Sequence, residues 1–460
     1  MNKELYEKII NICLKHGCDY CDVYYEETIN KNYIMVDSKL DDIVNKNKKG
    51  IGIRIYINKK VYYLSTNELE PNKIIENLNQ ILKNIKCCSK YNNKNIILGT
   101  EKIILNDIKI PHDKYDIKEK IKLLRKIDKK TREYSKYITQ VRLGIFEGYR
   151  KYTIATSKGK FVTSDDIVTR IYCVPIASKN GRYEQTNKTY GKGMGYEFLE
   201  NFNINEFAEE NAKVAVKKLS AKKFKGGNVP VILGPGFGGV IFHEACGHAL
   251  EATSVCEKLS IFSNSLNEKI ASEKVTLIDD GTIKNEWGST LVDTEGNKTQ
   301  KNILIENGYL KSFLVDEINS REMNHSITSS SRRENYMYPP TSRMNNTYLN
   351  IGNDKIPDMI KSIDYGIYCK KLSGGSVDIK TGDFNFSADE SYLIENGEIK
   401  DMLTGITLIG KCQEILKNIE MVSDDLKLDT GICGSESGQI YVTVGQPTIK
   451  VSEILVGGQE

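Results

Sequence analysis

Alternation of polar and apolar residues, broken by turn-forming pairs, recurs through most of this chain and restricts it to folds built on antiparallel sheets. "YCDVYYEETINKNYIMVDSKLDDIV" (20–44) reads as two or three strands, and "GIGIRIYINKKVYYLST" (50–66) as two strands joined at "NKK". More strands run from Tyr137 to about Ile176. "KVTLIDDGTIKNEWGSTLVDTEG", "SYLIENGEIKDMLTG" and "GQIYVTVGQPTIKVSEILVGG" repeat the pattern near the end, with Asp-Gly, Asn-Gly and Gly-Gly between short runs. Helical spacing is confined to a few places: the opening "MNKELYEKIINICLKHG", Pro71–Lys86, residues 116–135, Asn205–Leu219 and Val240–Ala252. Strands and helices do not alternate as βαβ units, so the class is α+β.

A chain of 460 residues exceeds one ordinary core. The polar, glycine-bearing "SAKKFKGGN" (220–228) marks a boundary, giving domains 1–222 and 223–460. The first is expected to hold an antiparallel sheet with flanking helices. The second is expected to be a largely antiparallel β domain, sandwich- or barrel-like, carrying the helix Val240–Ala252. The formal net charge is only +4, with lysine and arginine scattered among acids, so no footprint for direct nucleic-acid binding emerges. No run of about eighteen apolar residues exists to span a membrane. Eleven cysteines without framework spacing fit reduced thiols, and the expected location is the cytoplasm.

The chemistry concentrates in "GPGFGGVIFHEACGH" (234–248). Gly234, Gly236 and Gly239 satisfy G-x-G-x-x-G between a strand and a helix, and Glu257 follows at a suitable distance. The segment around Glu257 is a poor second parallel strand, so the glycines are read as room for a helix to start close against a strand. His243 and His248 are five residues apart, which on a regular α-helix separates them by roughly 140°. A π-type turn brings the fifth residue back under the first, and Gly247 is the residue that would accept such a distortion. Two imidazoles then offer half of a zinc site. Glu244 would be the general base, taking a proton from a water whose pKa the metal lowers to about 7, and passing it to a leaving amine. A third ligand is needed: Cys246, three residues from His243, and Cys433, on the glycine-rich turn "TGICGSESGQ", are both candidates. His16, Cys18 and Cys21 contain a C-x-x-C with no second pair and are read as buried structural residues.

These segments resemble the TldD/PmbA family of metallopeptidases, once called modulators of DNA gyrase, and within it the metal-bearing TldD type. The resemblance is carried by "GPGFGGVIFHEACGHALEA", "IDDGTIKNEWGSTLVDTEGNKTQKNILIENGYLKSFL", "SSSRRENYMYPPTSRMNNTYL", "GGSVDIKTGDFNFSADESYLIENGEIKDMLTG" and "CGSESGQIYVTVGQPTIKVSEILVGG". They span nearly all of residues 230–460 in family order; the first half matches more loosely. The resemblance implies one zinc ion per chain, held by His243, His248 and Cys433, with Glu244 as the catalytic base. It implies short or unfolded peptides as substrates, and a dimer formed with a PmbA/TldE-like partner or a second copy. Phe237 stands where the resemblance implies that a tryptophan is common. Ser435 and Glu436 stand where a lysine is frequent.

Arg332, Arg333 and Arg343 fall in a matching family segment, where substrate contact and turn-stabilising salt bridges are both open. Glu251 could orient a metal-bound histidine or be a surface acid. The expected function is a zinc-dependent peptidase. The alternatives are a catalytically silent PmbA-like subunit with a structural metal, or a nucleic-acid-associated modulator.

Overall fold

The computed structural model describes residues 2–85 and 95–458. The chain is α+β. Helix α1 (Lys3–Lys15) opens at Asn2, whose side chain accepts the amide of Leu5, and buries Leu5, Tyr6, Ile9, Ile10, Cys13 and Leu14. Strands β1 (Tyr20–Val36), β2 (Lys39–Ile57) and β3 (Lys60–Thr66) follow. The two segments read from sequence as separate strands around Gly50 form one strand, β2, whose partner β1 runs alongside it for its whole length. Asn58 and Lys59 both take positive φ in the β2–β3 turn, as a tight two-residue hairpin requires.

Helix α2 (Pro71–Lys83) keeps Ile74, Leu78 and Leu82 inward. Its expected end at Lys86 lies outside the described residues. Next come β4 (Lys102–Ile104), helix α3 (Ile117–Glu133), strands β5 (Ile138–Thr156) and β6 (Phe161–Lys179), and helix α4 (Ile204–Lys218). The sheet order is β3-β2-β1-β5-β6-β4. All neighbours are antiparallel except β4, which joins β6 in parallel. Residues of one parity face the helices: Cys21 and Val23 pack under α1 and α2, while Tyr33 and Met35 pack under α3 and α4. Tyr24 and Tyr152 point the other way, onto Val292 and Tyr336 of the second half. Strand periodicity therefore assigns one face to the helices and one to the rest of the chain.

In the second half, five strands close on themselves. Gly227–Leu233, Ile449–Gly457, Thr407–Lys411, Asp383–Glu395 and Tyr365–Val377 pair in that order, and Tyr365–Val377 pairs back with Gly227–Leu233. Closure removes exposed sheet edges. A second sheet of six strands contains Leu277–Asp280, Asn346–Leu349 and the hairpin Lys427–Ser435/Gly438–Gln446. One hydrophobic core joins the barrel, this sheet and the segment between residues 240 and 252. That placement seats the histidine-bearing segment between two β layers.

Candidate metal centre

The histidine segment is not the continuous helix read from sequence. A single α-turn, Val240–Phe242, passes into a π-turn, His243–Gly247, and then a 3-10 turn, His248–Leu250. Glu251 is extended, and a short helix, Ala252–Cys256, follows. The π-turn is the irregularity that the five-residue spacing demands. The two imidazole rings come to a centroid separation of 5.1 Å, with their planes at 84°.

Gly247 has a different role from the one expected. Its backbone is ordinary right-handed helix, φ −52 and ψ −57. What forbids a side chain is packing: a Cβ there would lie 1.9 Å from Sδ of the buried Met344. The upstream glycines also serve close approach. A Cβ on Gly239 would sit 2.4 Å from the carbonyl oxygen of Gly445. Gly236 takes φ +81, and the Asp429 carboxylate beside it accepts the amide of Phe237 at 2.8 Å. The lead-in is thus fully used in seating the segment on the hairpin.

Cys433 arrives from the other sheet. It pairs with Ile440 across the hairpin and is buried. Donor atoms of His243, His248 and Cys433 all lie within 4.8 Å of one another. Sγ of Cys433 is 3.2 Å from Nε2 of His248. Cys246 is elsewhere, in the hydrophobic core, where burial pushes its thiol well above the usual range. Burial acts on Cys433 too, but the His243 and His248 imidazoles outweigh it and pull the thiol down to about 4. A thiolate so held is the form that ligates metals.

Three further groups surround these donors. Glu244, partly exposed, has Oε2 3.9 Å from Nε2 of His248. Glu251 Oε2 is 3.1 Å from Nδ1 of His248. Burial opposes a charged His248, yet Glu251 and Cys433 raise its pKa well above the usual value. Arg343, fully buried, donates to Sγ of Cys433 at 3.1 Å and to its carbonyl oxygen at 2.9 Å. It also donates to Ser437 Oγ and the Gly438 carbonyl, and its Nε stands 3.7 Å from Glu251 Oε1. This tie between Arg343 and the sulfur escapes sequence inspection, because the two are 90 residues apart and no local pattern links them.

The other arginines sit apart from the donors. Arg333 contacts Asp22, the Thr294 carbonyl and the Tyr63 hydroxyl. Arg332 donates to the Met344 carbonyl. Both line a cavity beside the hairpin. Cys18 and Cys21 belong to the core under α1 and α2, and His16 bonds the Ile85 carbonyl.

The donor set suits a metal ion on two counts. Nδ1 of His243 is buried without a hydrogen-bond partner, an arrangement that costs free energy unless something binds there. Two imidazoles and one thiolate are a zinc-type set with one position left open.

Sequence comparison covers almost the whole chain. The profile of the PmbA/TldA metallopeptidase C-terminal domain matches residues 226–458, that of the central domain residues 110–219, and that of domain 1 residues 21–85. The metalloprotease TldD homolog of Buchnera aphidicola subsp. Acyrthosiphon pisum is 34% identical over 466 residues, covering 99% of this chain and 96% of its own length. The zinc metalloprotease TldD homolog of Saccharolobus solfataricus is 26% identical over 451 residues, covering 96% and 97%. Among solved structures, TldE from Thermococcus kodakarensis shares the fold, with a TM-score of 0.78 at 20% identity, covering 99% of this chain and 100% of that one. No helix among the described residues is long and apolar enough to cross a membrane.

Proposed function

The chain belongs to the PmbA/TldD family of metallopeptidases, and from that premise we propose that it is a zinc-dependent peptidase acting on short or unfolded polypeptides. The observation that carries the proposal is the meeting of His243, His248 and Cys433 from two separate β-layered regions, with Glu244 at their side. One zinc ion per chain would be held by those three donors. When bound, zinc supplies Lewis-acid polarisation of a water and of the scissile carbonyl.

The chain's own residues do the rest. Glu244 takes a proton from the attacking water at its carboxylate and returns it to the leaving amine. Glu251 fixes the ring of His248 through Nδ1, leaving Nε2 free to face the centre. Arg343 steadies the Cys433 thiolate from behind. Arg332 and Arg333 border a cavity beside the hairpin, but both are buried and hydrogen-bonded within the chain, which favours the structural role over substrate contact. Residues 223–460 form the catalytic domain in this reading. Residues 1–222 enclose the site together with a PmbA/TldE-like partner subunit or a second copy. The setting is the cytoplasm, and no direct nucleic-acid contact is required.

The test is cleavage of an unstructured peptide by the purified chain, with and without a chelator, beside a Glu244→Gln variant. The variant is expected to lose about 10²–10⁴-fold in kcat/KM while retaining its metal. Cleavage by Glu244→Gln at the unmodified rate would remove Glu244 from the reaction.

A further inference from the structure

In the hairpin, Ile432 and Tyr441 form the pair next to Cys433 and Ile440, so they face the opposite side from the thiolate. Both line a cavity of about 450 Å³. Phe146 of β5, Arg170 of β6 and Trp287 complete its aromatic end. Trp287 is buried and fixed: its Nε1 donates to the Gly431 carbonyl at 2.9 Å, and its ring meets Tyr441 at 4.8 Å. Ile432 and Arg170 also line a second cleft, of about 940 Å³.

The charge around the first cavity is lopsided. Seven cationic residues line it against two acids, Asp166 and Glu334. Both acids are engaged. Asp166 accepts from Arg150 Nε at 3.1 Å, and Glu334 accepts the amide of Gln439 at 2.9 Å. Arg170 has no such partner. Its Nε is buried without a hydrogen bond, and among the described residues no carboxylate pairs with the guanidinium. It rests instead over aromatic rings, with Cζ 5.3 Å from the centroid of Trp287 and 6.0 Å from that of Phe146. Burial lowers its pKa, and the tyrosine hydroxyls of Tyr441 and Tyr172 act the other way.

A half-buried guanidinium whose Nε is buried without a partner is unfavourable, and its planar fork matches a carboxylate with two parallel hydrogen bonds. A cation seated beside exposed ring edges suits a carboxylate carried by an apolar residue. We infer that Arg170 is the recognition point for a peptide carboxylate, a free chain end or an acidic side chain, with the adjoining apolar group packed on Phe146 and Tyr441 and Trp287 backing them from beneath. That the carboxylate belongs to a peptide rests on the peptidase reading; the unpaired cation does not. The anchor is separate from the metal centre and lies across the hairpin from it.

Trp287 is the sole tryptophan of the chain, so its emission reports on this site alone. The full-length Glu244→Gln chain, loaded with zinc so that no peptide is consumed, is titrated with N-acetyl-Ala-Ala-Phe as the free acid and as the amide. The acid is expected to shift Trp287 emission and to bind about ten- to a hundredfold tighter than the amide. Adding Arg170→Gln should erase that preference, and Arg170→Lys should keep part of it, because charge survives without the fork. The amide N-acetyl-Ala-Asp-Phe separates the two sources: binding like the acid assigns the site to acidic side chains, and binding like the plain amide assigns it to chain ends. Equal affinity for acid and plain amide, or a preference surviving in Arg170→Gln, overturns the inference. So does displacement of the acid by an equimolar single-stranded oligonucleotide. Peptide cleavage can fail while this binding persists, and the reverse, so the two readings stand or fall separately.

Discussion

Glu251 shows how much one carboxylate organises at this centre. Its Oε2 holds Nδ1 of His248, while Oε1 faces the Nε of Arg343, whose NH2 in turn reaches the Cys433 sulfur. One acid thus fixes a ring directly and a thiolate through an intermediary. Removing its charge should weaken metal binding by about 10–100-fold, the usual effect of a lost outer hydrogen-bond partner. Glu251→Gln titrated against a chromophoric chelator measures this; unchanged affinity would reduce Glu251 to a structural residue. Cys433→Ser exchanges a thiolate for a hydroxyl that does not ionise near neutral pH. Elemental analysis is expected to find the purified variant without stoichiometric zinc. Full occupancy in Cys433→Ser would show that the sulfur is not a ligand.

The elements exist to hold these residues in register. The π-turn places His243 and His248 on a common side, and Met344, packed where a Gly247 side chain would be, presses against it. Gly247→Ala should therefore cost about 1–3 kcal/mol by overpacking. The loss is read as a lowered midpoint in denaturant, accompanied by weaker zinc binding as the turn shifts. The double variant Gly247→Ala/Met344→Ala tests the cause, since relief of the clash should make the two changes non-additive. Additive losses would mean that Met344 is not what the glycine accommodates. The sulfur depends on the hairpin in the same way: Gly438, at φ +84, turns the chain so that Ser437 and the Gly438 carbonyl meet Arg343.

At the scale of the molecule, the two halves are joined by buried charge. Arg54 of β2 lies between Asp22 of β1 and Glu295 of the second half, and all three are essentially inaccessible. Burial pushes Glu295 up to about 8, with Arg54 opposing and the neighbouring Asp316, Asp293 and Asp22 adding to the rise. An acid with a raised pKa in the folded chain stabilises below its unfolded value and loses that contribution as pH climbs through the folded value. The melting temperature of the unmodified chain, relative to Glu295→Gln, should fall between about pH 4.5 and pH 8. A difference that stays flat over that window would show Glu295 to be charged throughout. Much else of the molecule was legible beforehand. The α+β class, the long strands of the first half, α1 to α4 and the distorted histidine spacing follow from local periodicity, because alternation and the 3.6-residue repeat are written in adjacent residues, whereas Tyr365–Val377, Thr407–Lys411 and Lys427–Ser435 carry no such reading. The continuity of β2 is not legible in the sequence, since its exposed stretch lacks a buried face to reveal it. Barrel closure was legible only as a possibility: Gly227–Leu233 finds Tyr365–Val377 more than a hundred residues later. The sequence by itself determined the α+β class, most of the long elements and which side chains are candidates for a metal site, because those depend on side-chain type and short-range spacing. Only the tertiary structure decided what Arg343, Glu251, Met344 and Arg170 touch, because their neighbours come from distant strands and their roles follow from burial in a shared, low-dielectric interior.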